Sequence, residues 1–262
     1  MSREYGPYQR EPVYPLPEQA GEPDTAFSRF RLDSGNGKFR TSAFTWVSVI
    51  FLLIVYPGIS MIGTGDDPTA LLKGLNQGMV LVLLLTTIMF QWMVFLLNYV
   101  SMYREQTGLA GIGLKKIRLL DFGWAFAFLL AAFAIMSGVE WLLGQIGLPL
   151  SGEVGVLIPK DPFGKVVWVA VAATAGFCEE VAFRGYLMTR LRLLGRMNSW
   201  IIPTILSTVA FAACHSYQGW SGFIAIAIYG VLFSLLFIRT GRLWPAIIAH
   251  FLWDFGALFF PK

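Results

Sequence analysis

From Met197 to Ile238 the chain runs for 42 residues without an Asp, Glu, Lys or Arg. A transmembrane helix takes roughly 20 mostly apolar residues to cross about 30 Å of hydrocarbon, so this run is too long for one span. Its middle, Ser216 to Gly222, is made of turn-forming residues, which predicts a two-helix hairpin. Other charges bracket further runs: 25 uncharged residues between Arg40 and Asp66, 30 between Lys73 and Arg104, and 18 between Asp121 and Glu140. Val166 to Leu187 and Leu243 to Phe260 are apolar except for a few ionisable residues. The pattern predicts an all-α, polytopic membrane bundle of about seven helices. Composition agrees, with 56% hydrophobic and 14% charged residues, against about 45–50% and about 25% in soluble domains.

Lys and Arg set the orientation, because short basic loops are retained in the cytoplasm. With the N-terminus inside, fifteen basic residues fall on inner segments: six from Arg3 to Arg40, then Arg104, Lys115, Lys116, Arg118, Arg190, Arg192, Arg196, Arg239 and Arg242. Only Lys73, Lys160, Lys165 and Lys262 fall outside. The expected protein is therefore multi-pass, with a cytoplasmic N-terminus, in the plasma (inner) membrane if the source is bacterial. Short charge clusters between apolar runs do not form the stripe that tracks a phosphate backbone, so nucleic acid is not an expected partner. Residues 1–40 are rich in Pro and mixed charge and predict a disordered cytoplasmic tail. Residues 41–163 then hold three helices and 164–262 the core that carries the site. The first apolar run begins too late for a cleaved signal peptide. Cys178 and Cys214 both lie in apolar runs, which gives no support to a disulfide framework.

Ionisable residues inside the last four spans are the functional signal. Each costs roughly 2.5–3.5 kcal/mol at mid-helix unless paired or hydrated. Glu179, Glu180 and Arg184 share one span, and the two histidines of the chain, His215 and His250, fall in the same C-terminal third, with Asp254 four residues after His250. Glu180 and Arg184 stand one helical turn apart with acid before base, a spacing that pairs them. Glu179 points about 100° away, without a cation of its own, and is free for proton transfer. His250 and Asp254 share a helix face, which lets the carboxylate orient the imidazole. Straight helices would put His250 about 12 Å and His215 about 24 Å above the inner ends of their spans, too far apart to meet.

Three ordered motifs, Glu179-Glu180-x-x-x-Arg184, Phe211-x-x-x-His215 and His250-x-x-x-Asp254, resemble those of the CAAX-protease and bacteriocin-processing superfamily of intramembrane proteases. Arg184-Gly185-Tyr186-Leu187 and Thr240-Gly241-Arg242-Leu243-Trp244-Pro245 add to the likeness, which covers about residues 165–258. The resemblance implies peptide-bond hydrolysis within the bilayer, on a peptide or lipidated-protein substrate. Glu179 and His215 would activate water without a cofactor, Glu180 and Arg184 would support them, and His250 with Asp254 would face the oxyanion. Prenyl-protein proteases of the family carry Asn at the last position. Asp254 must therefore be protonated, orient His250, or assist a metal, since an ionised carboxylate repels an oxyanion.

Other readings stay open at this level. Zinc held by His215, His250 and Glu179 would make a metalloprotease. A membrane scaffold or bacteriocin self-immunity protein would keep the cluster for binding, Cys214 could offer a thiol, and a transporter is the remaining class. The absence of an evident internal repeat argues against the last. Oligomeric state is not readable.

Overall fold

The computed structural model describes residues 13–15, 38–64, 72, 74–150 and 152–259. It is all-helical apart from a short antiparallel ladder that pairs Val13–Pro15 with Lys38–Arg40. The expected disordered tail lies otherwise outside the described residues.

The first span is α1 (Ala43–Ile50), a π-helical turn (Phe51–Val55) and α2 (Tyr56–Thr64). Ser42 starts it as an N-cap whose side chain accepts from the Thr45 amide, filling a donor that the first turn leaves orphaned. Then follow α3 (Gln77–Arg104) and α4 (Leu119–Gln145). The longest helix is continuous from Pro162 to Leu194 as α5 (Pro162–Glu179), a second π turn (Glu180–Leu187) and α6 (Met188–Leu194). The chain ends in α7 (Ile201–Ala213), α8 (Gly219–Thr240) and α9 (Trp244–Gly256). Five helices are long and apolar enough to cross a bilayer: Ala43–Ile62, Gln77–Arg104, Leu119–Gln145, Pro162–Leu194 and Ser216–Thr240.

The remaining two expected spans are shorter than the sequence suggests. Helices α7 and α9 have 13 residues each, which at 1.5 Å per residue covers about 20 Å. Helix α7 stops where Ser216–Gln218 tightens into a 3₁₀ turn and Gly219 takes φ +73°. Helix α9 starts only after Gly241 has turned the chain in the left-handed region at φ +62°, a conformation that glycine adopts without steric cost.

Helix α5 is the centre of the bundle and packs on α3 and α9. Gly176 makes the second contact possible. A Cβ there would stand 2.9 Å from the Phe251 amide nitrogen and 3.1 Å from the Ile247 carbonyl oxygen, so only a bare Cα admits the α9 backbone this closely. At the start of α9, Leu243 lies against Gly185, and the long helix continues from there a further nine residues, through α6, to Leu194. The long helix therefore extends about 13 Å past the start of α9.

Candidate active site

Glu179 closes α5 and Glu180 opens the π turn, near the middle of the most buried span. Wide turns of this kind recur at functional sites because they re-aim side chains within a helix. Glu180 is fully buried and receives Arg184 Nη1 at 3.0 Å, one turn along the helix, as the spacing predicts. The Arg184 guanidinium lies 4.2 Å from the Phe211 ring centroid and 5.3 Å from that of Phe233. Its charge is thus matched by one carboxylate and two aromatic faces, a partnership that suits a desolvated guanidinium.

His250 sits on α9 and is buried. Its Nδ1 is 2.9 Å from Glu180 Oε1, while Nε2 faces Asp254 Oδ2 at 3.5 Å and Glu179 Oε2 at 3.8 Å. Phe233 stacks on the ring at 5.3 Å and Phe211 meets it edge-on at 6.5 Å. Three carboxylates surround the imidazole, and Arg184 neutralises one of them. Glu179 and Glu180, expected to diverge by about 100°, both reach this ring, one at each nitrogen.

Glu179 is held from behind by a residue absent from the sequence reading. Gln91 on α3, itself buried, donates its Nε2 to Glu179 Oε1 at 2.5 Å. This leaves Oε2 facing His250. Gln91 carries no charge and hides in an apolar span, but Gln91, Asn98 and Glu105 recur every seven residues along α3, the spacing of a single helix face. That was the available signal. In the sequence Phe211 is only the first residue of the motif that ends in His215; in the fold its ring is the surface on which Arg184, His250 and His215 meet.

His215 follows the C-cap of α7 and is half-buried. Its Nδ1 is 2.9 Å from the Phe211 carbonyl oxygen. A carbonyl only accepts, so Nδ1 donates its proton in this bond. The ring lies 4.8 Å from Phe211 and 6.1 Å from Tyr217. Among the described residues, no hydrogen bond or ion pair joins His215 to Glu179, His250 or Asp254. The histidine within 4 Å of Glu179 is His250. The two histidines do not meet, but one ring, Phe211, lies against both, 4.8 Å from His215 and 6.5 Å from His250.

The zinc set His215, His250 and Glu179 is not gathered. Among the described residues no group of three His, Cys, Asp or Glu is placed to hold a metal ion. Both nitrogens of His250 are turned to carboxylates, and His215 stands apart. As arranged, these side chains do not fit a tetrahedral ion, which needs lone pairs converging on one point. Cys214 and Cys178 are buried free thiols; the Cys214 carbonyl is fixed by Ser60 Oγ at 2.8 Å.

Neither a curated protein nor a solved structure matches the chain. Residues 162–256, which hold every side chain of this site except Gln91, are similar to the family described as Rce1-like type II CAAX prenyl endopeptidases, whose model they match.

Proposed function

We propose that the protein is an intramembrane endopeptidase in which Glu179 takes a proton from water that attacks a peptide carbonyl. The observation that carries this reading is the gap between Glu179 Oε2 and His250 Nε2. At 3.8 Å it is too long for a direct hydrogen bond, and each group is tethered through its other atom, Glu179 by Gln91 and His250 by Glu180. A water at ordinary hydrogen-bond distance from both atoms fits beside the line that joins them. Glu179 Oε2 and His250 Nε2 are thereby turned toward one small volume, with Asp254 Oδ2 3.5 Å from the same nitrogen, and groups held in this way are pre-organised for such a molecule.

In the proposed reaction the water oxygen bonds to the carbonyl carbon and its proton passes to Glu179. The carbonyl π electrons move to oxygen, and the resulting oxyanion is met by the Nε2–H of His250, which Glu180 and Asp254 orient. The C–N bond then breaks, the C=O bond re-forms, and the departing amine takes the proton from Glu179. His215, fixed at the end of α7 by the Phe211 carbonyl, is the second residue proposed to act on the water. Asp254 thus acts through the imidazole rather than on the oxyanion. No cofactor enters this scheme. The substrate class is a membrane-associated peptide or lipidated protein, in keeping with a site flanked by lipid-facing helices. The basic residues of the helix ends favour a cytoplasmic N-terminus.

Glu179→Gln keeps the hydrogen bond to Gln91 and removes the base. In proteoliposomes its cleavage of membrane peptides should fall by about 10²–10⁴-fold, while the protein accumulates normally. Unchanged processing by the purified variant would reject the reading. A proteomic comparison of membrane peptides between wild type and Glu179→Gln would name the substrate.

A further inference from the structure

Helix α3 is inverted with respect to water. Its exposed side is apolar, with Met89, Trp92, Met93, Leu96 and Tyr99 all exposed, whereas its buried side carries Gln91, Asn98 and Ser101 and ends in the buried C-cap Glu105. Polar groups on the inner face of a membrane helix are costly and mark pathways or sites. At one end of this stripe Gln91 holds Glu179. At the other, Glu105 accepts from Thr45 Oγ1 at 2.8 Å, Tyr186 Oη at 2.9 Å and Arg190 Nε at 3.0 Å, and Ser101 Oγ lies 2.5 Å from Tyr186 Oη.

Between the two carboxylates the stripe is polar but unsatisfied. Asn98 is completely buried, and neither its Oδ1 nor its Nδ2 has a partner. Ser48 of α1 is equally buried and its Oγ likewise has none. The first span and α3 run antiparallel, joined at one end by Thr45 of α1 and Glu105, the C-cap of α3, and at the other by the rings of Tyr56, which opens α2, and Phe90, 4.9 Å apart. Ser48 and Asn98 both fall between these anchors. A buried amide with two idle ends and a buried idle hydroxyl are costly unless water fills them, and internal waters typically take about three such partners. From Glu105 to Gln91 is 14 residues of helix, about 21 Å.

The inner end meets the surface. Arg190 Nη2 donates to Thr107 Oγ1 at 2.7 Å, and Thr107 lines a surface cavity of about 520 Å³ with Tyr103, Arg104, Gln106 and Gly108. We propose that the facing polar residues of α1, α3 and the α5–α6 helix form a hydrated conduit that leads from this cavity past Asn98, its central water ligand, to Glu179. The Glu105–Arg190 pair stands at its mouth. The function of the conduit, supply of water and exchange of protons for hydrolysis, rests on the reading of Glu179 as the base; its existence does not.

The test is X-ray hydroxyl-radical footprinting of the full chain in lipid nanodiscs, in ¹⁸O-labelled water, read by mass spectrometry. Tyr186 and Met102 are 0% and 1% exposed, so radicals reach them only from internal water. Both should be oxidised in the wild type, and labelling should fall about fivefold or more in Asn98→Leu, which fills the space with an apolar group. Asn98→Ser and Ser48→Thr, which keep a polar atom, should retain it. Wild-type protein unlabelled at both residues, or equal labelling in Asn98→Leu, overturns the conduit. Should Asn98→Leu fail to fold, Ser48→Val reads the same loss. Peptide hydrolysis by Asn98→Leu should show kcat lowered about tenfold at unchanged KM; unchanged kcat overturns the supply role. Labelled but proteolytically inert wild-type protein would reject the protease reading and leave the conduit standing.

Discussion

Glu180 and His250, 70 residues apart in the chain, are joined by a 2.9 Å contact between Oε1 and Nδ1 in a fully buried setting. The same Glu180 oxygen receives Arg184. One carboxylate therefore ties the first motif to the third and fixes which nitrogen of the imidazole is left to face Glu179.

Glu180→Gln should accordingly destabilise the protein while Glu179→Gln should not. It leaves the Arg184 guanidinium buried without its counter-charge, and breaking a buried pair on one side costs about 3–5 kcal/mol. Thermal unfolding in detergent, comparing the two variants, checks this; equal melting temperatures would place the structural role elsewhere.

Gly176→Ala should act through distance. The added methyl meets backbone atoms of Phe251 and Ile247 rather than a yielding side chain, so α9 must withdraw and carry His250 with it. Overpacking of this kind costs about 1–3 kcal/mol, and displacement of a reacting group by about 1 Å costs up to about 10²-fold in rate. Gly123 in α4 has nothing within 4 Å of its added Cβ. Gly123→Ala should therefore keep full activity and gain about 0.5–1 kcal/mol from helix propensity. Paired activity and unfolding measurements on the two variants decide the point.

Acid should act at the Glu105–Arg190 pair. Burial pushes the Glu105 carboxyl up, but the Arg190 charge beside it, the Arg190 hydrogen bonds and those from Thr45 and Tyr186 outweigh that and hold it below its ordinary value of 4.5. A carboxyl held low in the fold binds its proton more readily when unfolded, so its contribution is complete above that ordinary value. It is lost as pH falls through the lower folded value. Unfolding followed between pH 3 and 7 should show stability falling in the acid part of the range. Glu105→Gln should be less stable at pH 7 by about 3 kcal/mol and should show a flatter acid limb.

Arg242→Lys should loosen the turn that launches α9. Arg242 meets Asp121 through two bonds, Nε to Oδ1 at 2.6 Å and Nη2 to Oδ2 at 2.7 Å, and also reaches the Lys116 carbonyl. These bonds to Asp121 hold its guanidinium above the ordinary range despite partial burial. An ammonium cannot reproduce the planar fork, and losing one charge-assisted bond costs about 1.5–3 kcal/mol. Lower melting temperature with cleavage retained below it is the expected outcome.

Much of this molecule was legible in the order of its residues. Uncharged runs bounded by charge announce membrane helices, since hydrocarbon tolerates little else. The four-residue spacing of Glu180 and Arg184 predicts their pairing, because one helical turn brings such residues together. His250 and Asp254 were likewise placed on one face, and their side chains meet at 3.5 Å. Such readings succeed because they depend on contacts within a single helix. What depends on contacts between helices was not legible. That His250 rather than His215 faces Glu179, that Gln91 holds the carboxylate from behind, and that Phe211 forms the floor beneath Arg184 all follow from where short α7 and α9 stop and how closely Gly176 lets α9 approach. Neither helix rotation nor helix depth is encoded by periodicity alone; both are set by packing of surfaces that the linear chain keeps far apart.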